Sequence, residues 1–230
     1  MTTPIPNPAA HGAAPARHAI RAVIFDCDGT LVDSEPIAIA ALLDEAEAEG
    51  FAMSRHDGEA RFKGVKMALC VAEIERQLGR ALPDDFVPRV RARMTRGFEA
   101  NLPLMPDAMR VIRELPLPYC VASNGPPERL RVTLGVSGLL PVLRGPVISA
   151  YDVGHWKPSP ELFLHAAAAL GVAPEHCAVV EDSAPGIEAG VAAGMTVFAL
   201  CAERDLDSRW RTRVERIDRL GELLDRLARP

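Results

Sequence analysis

Residues Phe25-Asp26-Cys27-Asp28-Gly29-Thr30-Leu31-Val32-Asp33-Ser34-Glu35 carry most of what this chain discloses. They continue the apolar run Ala22-Val23-Ile24-Phe25, which is short enough for a buried strand. Asp26 and Asp28 then bracket a single residue, and Gly29 breaks the strand. Carboxylates at the carboxyl end of a buried strand sit where open α/β sheets bind ligands. Two such neighbours are costly to desolvate unless a cation or a shared proton compensates them. The chemistry this pair suits is phosphoryl transfer. Asp26 can attack phosphorus and form an aspartyl phosphate. An anionic nucleophile facing an anionic phosphate calls for a hard divalent cation between them, Mg2+ by the oxygen ligands on offer. Asp28 can protonate the leaving oxygen and later deprotonate a water.

The run Asp-Cys-Asp-Gly-Thr-Leu-Val-Asp-Ser-Glu resembles the first motif, Asp-x-Asp-Gly-Thr, of the haloacid dehalogenase superfamily of phosphotransferases. Three further segments follow in the family's order. Tyr119-Cys120-Val121-Ala122-Ser123-Asn124-Gly125 reads as a strand ending in a hydroxyl, and the resemblance implies that Ser123 bonds a phosphoryl oxygen with help from the turn at Asn124. Trp156-Lys157-Pro158 puts a cation before a Pro-initiated helix, and the matching family lysine balances charge on nucleophile and phosphate. Ala178-Val179-Val180 is an apolar strand leading into Glu181-Asp182-Ser183. The resemblance makes Asp182 a direct metal ligand and Glu181 a partner through water, so that the implied metal set is Asp26, Asp28, Glu181 and Asp182. Catalytic roles are thereby implied for Asp26, Asp28, Ser123 and Lys157.

Between the first and second motifs the texture changes. Pro36 to Glu49 is rich in Ala, Leu and Glu, with Gly50 as a stop. Met67, Val71, Ile74 and Leu78 fall at helical spacing, as do Phe86, Val90 and Met94. Strand–helix alternation resumes after Pro103 and Pro106, with Val147-Ile148-Ser149 as a third strand and Met195 to Leu200 as a fifth. Between the fourth and fifth lies a small-residue helix closed by Gly194, and Leu220, Leu223, Leu224 and Leu227 stripe a C-terminal helix. Such alternation predicts a doubly wound parallel α/β sheet, a Rossmann-like core, with right-handed crossovers. The expected organisation is a core over residues 19–34 and 105–230, and a helical-bundle cap over 35–104. In the resembling family such a cap closes over the site and excludes water. Met1 to Arg17 holds four prolines and lacks a signal peptide's apolar core, so residues 1–18 read as a disordered tail.

The chain has 230 residues, 48% hydrophobic, enough to bury a full core. Its net charge is −5, and no basic stripe with interleaved aromatics appears, which argues against nucleic acid as partner. No apolar run reaches transmembrane length. Five scattered cysteines, without metal spacing, suggest reduced thiols in a cytoplasmic protein, a monomer by expectation. Of 26 basic residues only Lys63, Lys66 and Lys157 are lysine; the rest are arginine. A lysine kept in so arginine-rich a chain suggests a site that needs a compact ammonium.

Substrate choice is expected from Arg61-Phe62-Lys63-Gly64-Val65-Lys66, where three cations flank a glycine. They read either as solvated helix-end charges or as partners of a second negative group on a small phosphorylated metabolite. This segment, with Ser123-Asn124-Gly125-Pro126 and Tyr151 to Pro158, is similar to bacterial phosphatases acting on 6-phosphogluconate. The substrate-binding set thus implied is Asn124, Glu35, Arg61, Lys63 and Lys66. Phosphosugar mutases of the β-phosphoglucomutase type share cap and motifs and stand as the alternative, although no cap-derived acid/base His or Thr follows the first motif here. A receiver-like phospho-acceptor module is the more distant one, disfavoured by the insertion and by Asp28.

Overall fold

The computed structural model describes residues 19–63, 65–202 and 206–228. The expectation for residues 1–18 lies outside them. Strand β1 (Ala22–Phe25) is followed by helices α1 (Glu35–Ala48), α2 (Arg55–Phe62), α3 (Met67–Leu78), α4 (Phe86–Ala100) and α5 (Ala108–Glu114). Then come β2 (Tyr119–Ser123), α6 (Pro127–Val136), β3 (Val147–Ser149), α7 (Ala150–Val153), α8 (Glu161–Leu170) and β4 (Cys177–Glu181). The chain closes with α9 (Ala184–Ala192), β5 (Thr196–Leu200), β6 (Glu215–Ile217) and α10 (Glu222–Leu227).

The strands form one six-stranded sheet in the order β3-β2-β1-β4-β5-β6, every pairing parallel. The chain leaves β1 toward β2 on one side and places β4 on the other, so the order reverses at β1. In such sheets the crevice at the carboxyl ends beside the reversal is the ligand site. Alternation along β1 divides the core. Val23 and Phe25 join one apolar cluster, and Ala22 and Ile24 join a second on the opposite face with Leu162, Phe163, Val179 and Ile187. Burial on both faces is what an all-parallel sheet requires, and it explains why β1, β2 and β4 are unbroken apolar runs.

The inserted helices follow the predicted periodicity. Helix α3 buries Cys70 and Ile74, and α4 buries Phe86, Val90, Met94 and Phe98. Helix α4 packs on α1 and on α6, and its apolar residues belong to the same cluster as Phe25 and Val121. On the polar side, Arg89 and Arg93 of α4 pair with Glu45 and Glu49 of α1 or its C-cap. Two elements differ from expectation. Strand β6 was not foreseen, because Glu-Arg-Ile on an edge strand buries only Ile217 and offers no apolar run. Helix α10 is short: Leu220 is buried ahead of it, and within it Leu223 alone is fully enclosed.

Candidate active site

Three strand ends deliver the site. β1 runs into Asp26, β2 ends on Ser123, and β4 ends on Glu181 with Asp182 next. Lys157 reaches in from the loop between α7 and α8, and its peptide bond to Pro158 is cis. Its ammonium, 3% exposed, is bonded to Asp26 Oδ1, to Glu181 Oε1 at 2.7 Å and to the Ala122 carbonyl at 3.0 Å. The ring of Phe163 lies 4.8 Å from it. All three N–H donors of the ammonium have acceptors, and the aromatic face adds a further attraction for charge. Burial alone would lower the Lys157 pKa, but Asp26 and Glu181 together drive it above the ordinary lysine value.

Asn124 holds that lysine from behind. Its Oδ1 accepts from Lys157 N at 2.9 Å and its amide reaches the Lys157 carbonyl at 3.4 Å. The side chain expected to face substrate thus braces the loop that carries the cation. The turn after β2 is fixed in the same manner: Gly125 N donates to Ser123 Oγ at 3.1 Å, and Ser149 Oγ donates to the Gly125 carbonyl at 2.7 Å. Ser123 is 2% exposed at the floor of this turn.

Asp26, Glu181 and Asp182 each bring a carboxylate oxygen to within 4.8 Å of the others. Burial raises the Asp26 pKa from 3.8 to about 7, with Glu181 and Asp28 adding to it and Lys157 opposing. Burial, Glu181 and Asp26 likewise push Asp182 well above the carboxylate range. Carboxylates so displaced are short of positive charge, since among the described residues Lys157 is the one cation bonded among them. A donor set of hard oxygens, three carboxylates against one ammonium and so two positive charges short, fits a hard divalent cation and not zinc, which favours nitrogen and sulfur. Glu181 is the least open of the three. Its second oxygen accepts from Ser183 N at 2.9 Å and Ser183 Oγ at 2.8 Å, and a Cβ at Gly186 would overlap its carboxylate. Asp182 accepts from Thr30 Oγ1 at 3.2 Å and packs against Gly29, whose φ of +83° and missing side chain make the room. The Asp-Gly-Thr sequence thus acts on a carboxylate far along the chain.

Asp28 stands outside that trio. Ser34 Oγ donates to its Oδ1 at 2.7 Å, and Arg129 pairs with its Oδ2. With both oxygens engaged the carboxylate is held in place, and its side chain is not among the three that cluster. Arg129, near the start of α6, was missed by sequence reasoning, and nothing local marks it among so many arginines. Cys27, between the two aspartates, is buried and its thiol pKa is driven well up by that burial, which leaves it an inert packing group.

The residues expected to choose substrate lie on or beside the inserted helices. Glu35 opens α1, and its carboxylate is 3.8 Å from the Lys63 ammonium. Lys63 is exposed at the end of α2 and Lys66 is exposed at the N-cap of α3. Arg61 turns to Glu73 on α3 and ties α2 to α3.

Residues 20–194 match the family of haloacid dehalogenase-like hydrolases. Over 185 residues the chain is 37% identical to 6-phosphogluconate phosphatase of Escherichia coli strain K12, covering 80% of this chain and 84% of that one. Among solved structures, a conserved haloacid dehalogenase-like protein of unknown function from Agrobacterium tumefaciens superposes with a TM-score of 0.78 at 30% identity, over 91% of this chain and 98% of that one. A putative β-phosphoglucomutase from Thermotoga maritima superposes with a TM-score of 0.74 at 25% identity, over 90% and 98%. With three strand-end motifs and the Lys157 loop converging on one crevice, the chain belongs to the haloacid dehalogenase-like hydrolases and is a phosphatase of that family.

Proposed function

We propose that this protein is a Mg2+-dependent phosphomonoester hydrolase that acts on a phosphorylated sugar acid, 6-phosphogluconate, through an aspartyl phosphate on Asp26. The observation that carries the chemistry is the buried cluster of Asp26, Glu181 and Asp182 around the Lys157 ammonium. The likeness to the E. coli phosphatase carries the substrate. In the first step an Asp26 oxygen forms a bond to phosphorus as the ester P–O bond breaks, and Asp28 gives its proton to the departing alkoxide. In the second, water attacks the phosphoryl group, its proton passes to Asp28, and inorganic phosphate leaves as the Asp26 carboxylate is restored. Lys157 keeps charge balanced beside the nucleophile, and the Ser123 hydroxyl receives a phosphoryl oxygen. Asp26, Asp28 and Asp182 would hold Mg2+, with Glu181 behind them through water, and the ion would offset repulsion between nucleophile and phosphate. Helices α1 to α4, within residues 35–104, serve as the cap that excludes water during turnover. Buried free thiols accord with a reducing cytoplasmic setting for a monomer.

The test is phosphate release from a panel of sugar phosphates, phosphosugar acids and nucleotides by purified protein, with Asp26→Asn alongside. 6-Phosphogluconate should give the highest kcat/KM, and Asp26→Asn should be inactive and folded. Activity of Asp26→Asn within tenfold of wild type would rule out the covalent route. The Thermotoga likeness favours one second reading, a phosphosugar mutase. Conversion of β-glucose 1-phosphate to the 6-phosphate without phosphate release would decide for it.

A further inference from the structure

Arg129 has no place in the reading so far, yet it occupies the middle of the site. It sits near the N-terminus of the ten-residue helix α6, whose start is pinned by Pro126 and Pro127. From there it crosses to a carboxylate 101 residues earlier in the chain and pairs with Asp28 Oδ2. Its guanidinium also lies on the turn after β2. A Cβ placed at Gly125 would be 3.4 Å from Arg129 Nε, 3.5 Å from Nη2 and 3.4 Å from Ser123 Oγ. These are ordinary contact distances, and they set the arginine and the Ser123 hydroxyl side by side against the same turn. The arrangement has a visible defect. Nε of Arg129 is buried without a hydrogen-bond partner, one of few such side-chain atoms among the described residues. A buried donor left without a partner loses its hydration with no bond to replace it. A surface arginine would avoid that by turning to water. This one keeps its place on Asp28, and the Asp28 charge also holds its pKa above the ordinary arginine value against the effect of burial.

We propose that Arg129 is the positioning residue of proton transfer: with Ser34 it grips both oxygens of Asp28 and fixes where that carboxylate meets the leaving oxygen. This deepens the reading of Asp28 as acid/base and rests on it. The geometry supports fixed placement because the two grips are independent. Ser34 belongs to the segment entering α1, on the cap side of the chain, and Arg129 belongs to the core helix α6. A carboxylate held at one oxygen alone would pivot about its side-chain torsions; held at both, it does not. The guanidinium supplies a planar fork that a lysine ammonium does not reproduce.

The consequence is specific to the leaving group. Protonation matters for an alkoxide and hardly at all for p-nitrophenolate, which departs unaided. The value of kcat/KM covers events up to departure of the leaving group, so it isolates the acid step from later hydrolysis of the aspartyl phosphate. In saturating Mg2+, kcat/KM is measured for p-nitrophenyl phosphate and for the sugar phosphate hydrolysed best. The ratio of the first to the second should rise about tenfold or more in Arg129→Met, within the range for general acid groups. Asp28→Asn should raise it further, Arg129→Met added to Asp28→Asn should change it no more, and Arg129→Lys should fall between wild type and Arg129→Met. Equal losses on both substrates would overturn the proposal and assign Arg129 to the phosphoryl group or the fold. Additive effects in the double variant would overturn it as well. An unchanged ratio in Asp28→Asn would instead remove the acid role of Asp28 and the proposal with it, which separates the two failures.

Discussion

The Lys157 ammonium is anchored by Glu181 at 2.7 Å, and Glu181 is itself wholly buried. The nucleophile Asp26 is therefore one of two carboxylates that share a single ammonium, which offsets only one of their two charges. Breaking a buried pair by removing one partner leaves an uncompensated charge, typically a loss of about 3–5 kcal/mol. Lys157→Met should lower stability by about that amount in urea unfolding of the metal-free protein. Adding Glu181→Gln to Lys157→Met should recover part of the loss, because it removes one stranded carboxylate. A loss below about 1 kcal/mol, or a double variant worse than the single, contradicts this account of the pair.

A second prediction concerns the cation. Asp26 and Asp182 are displaced upward by burial and by neighbouring carboxylates, Glu181 foremost, so an added divalent ion should relieve both. EDTA should abolish phosphate release and Mg2+ should restore it. In the absence of substrate, Mg2+ should raise the melting temperature of wild type but shift that of Asp182→Ala far less, through preferential binding to the folded form. Full activity in exhaustively chelated buffer, or an equal melting shift in Asp182→Ala, would refute the metal assignment.

Asp26 also predicts a pH dependence of stability. Its carboxyl pKa is raised by burial from 3.8 to about 7 in the metal-free fold. Between those values the folded chain keeps a proton that the unfolded chain has released, so the fold binds more protons. The stabilisation this provides is complete below the unfolded pKa and is lost as pH rises through the folded one. Measured in EDTA, wild type should thus lose stability relative to Asp26→Asn from about pH 4 to pH 7, after which the difference levels off. Parallel melting curves for the two proteins across that interval would exclude the raised value.

The legible part of this site is the part written locally. Asp26, Ser123 and Glu181 each end an apolar run at a parallel strand, so sequence alone puts them at one edge of one sheet. The helices of the insertion were legible for the same reason, since Ile74, Phe86, Val90 and Met94 fall on buried faces at helical spacing. What escaped depends on pairing across the chain. Thr30 reaches Asp182 over 152 positions, and Arg129 reaches Asp28 over 101. Neither carries a local pattern. The partner of Asn124 was not legible either: its side chain bonds the Lys157 backbone from the neighbouring loop, a juxtaposition that only the strand order creates. Asp28 sits two positions from Asp26 at the same strand end, and sequence alone does not tell their surroundings apart. Ser34 and Arg129 distinguish them.

The last prediction concerns Lys63 and Lys66. Both are exposed on the inserted helices, and Lys63 lies 3.8 Å from Glu35, a weak contact that a better anion can replace. Exposed pairs of this kind contribute about 0–1 kcal/mol, so fold stability should be nearly indifferent to these lysines. If they receive the carboxylate of a phosphosugar acid when the cap closes, their effect must depend on the substrate. Lys63→Ala combined with Lys66→Ala should lower kcat/KM for 6-phosphogluconate by about 10- to 1000-fold, the range for charge-assisted contacts in a closed site. For p-nitrophenyl phosphate, which has no second anion, the loss should be far smaller. Equal losses on both would assign the lysines to cap closure or to the phosphoryl group itself. No loss on either would leave them as solvated surface charge.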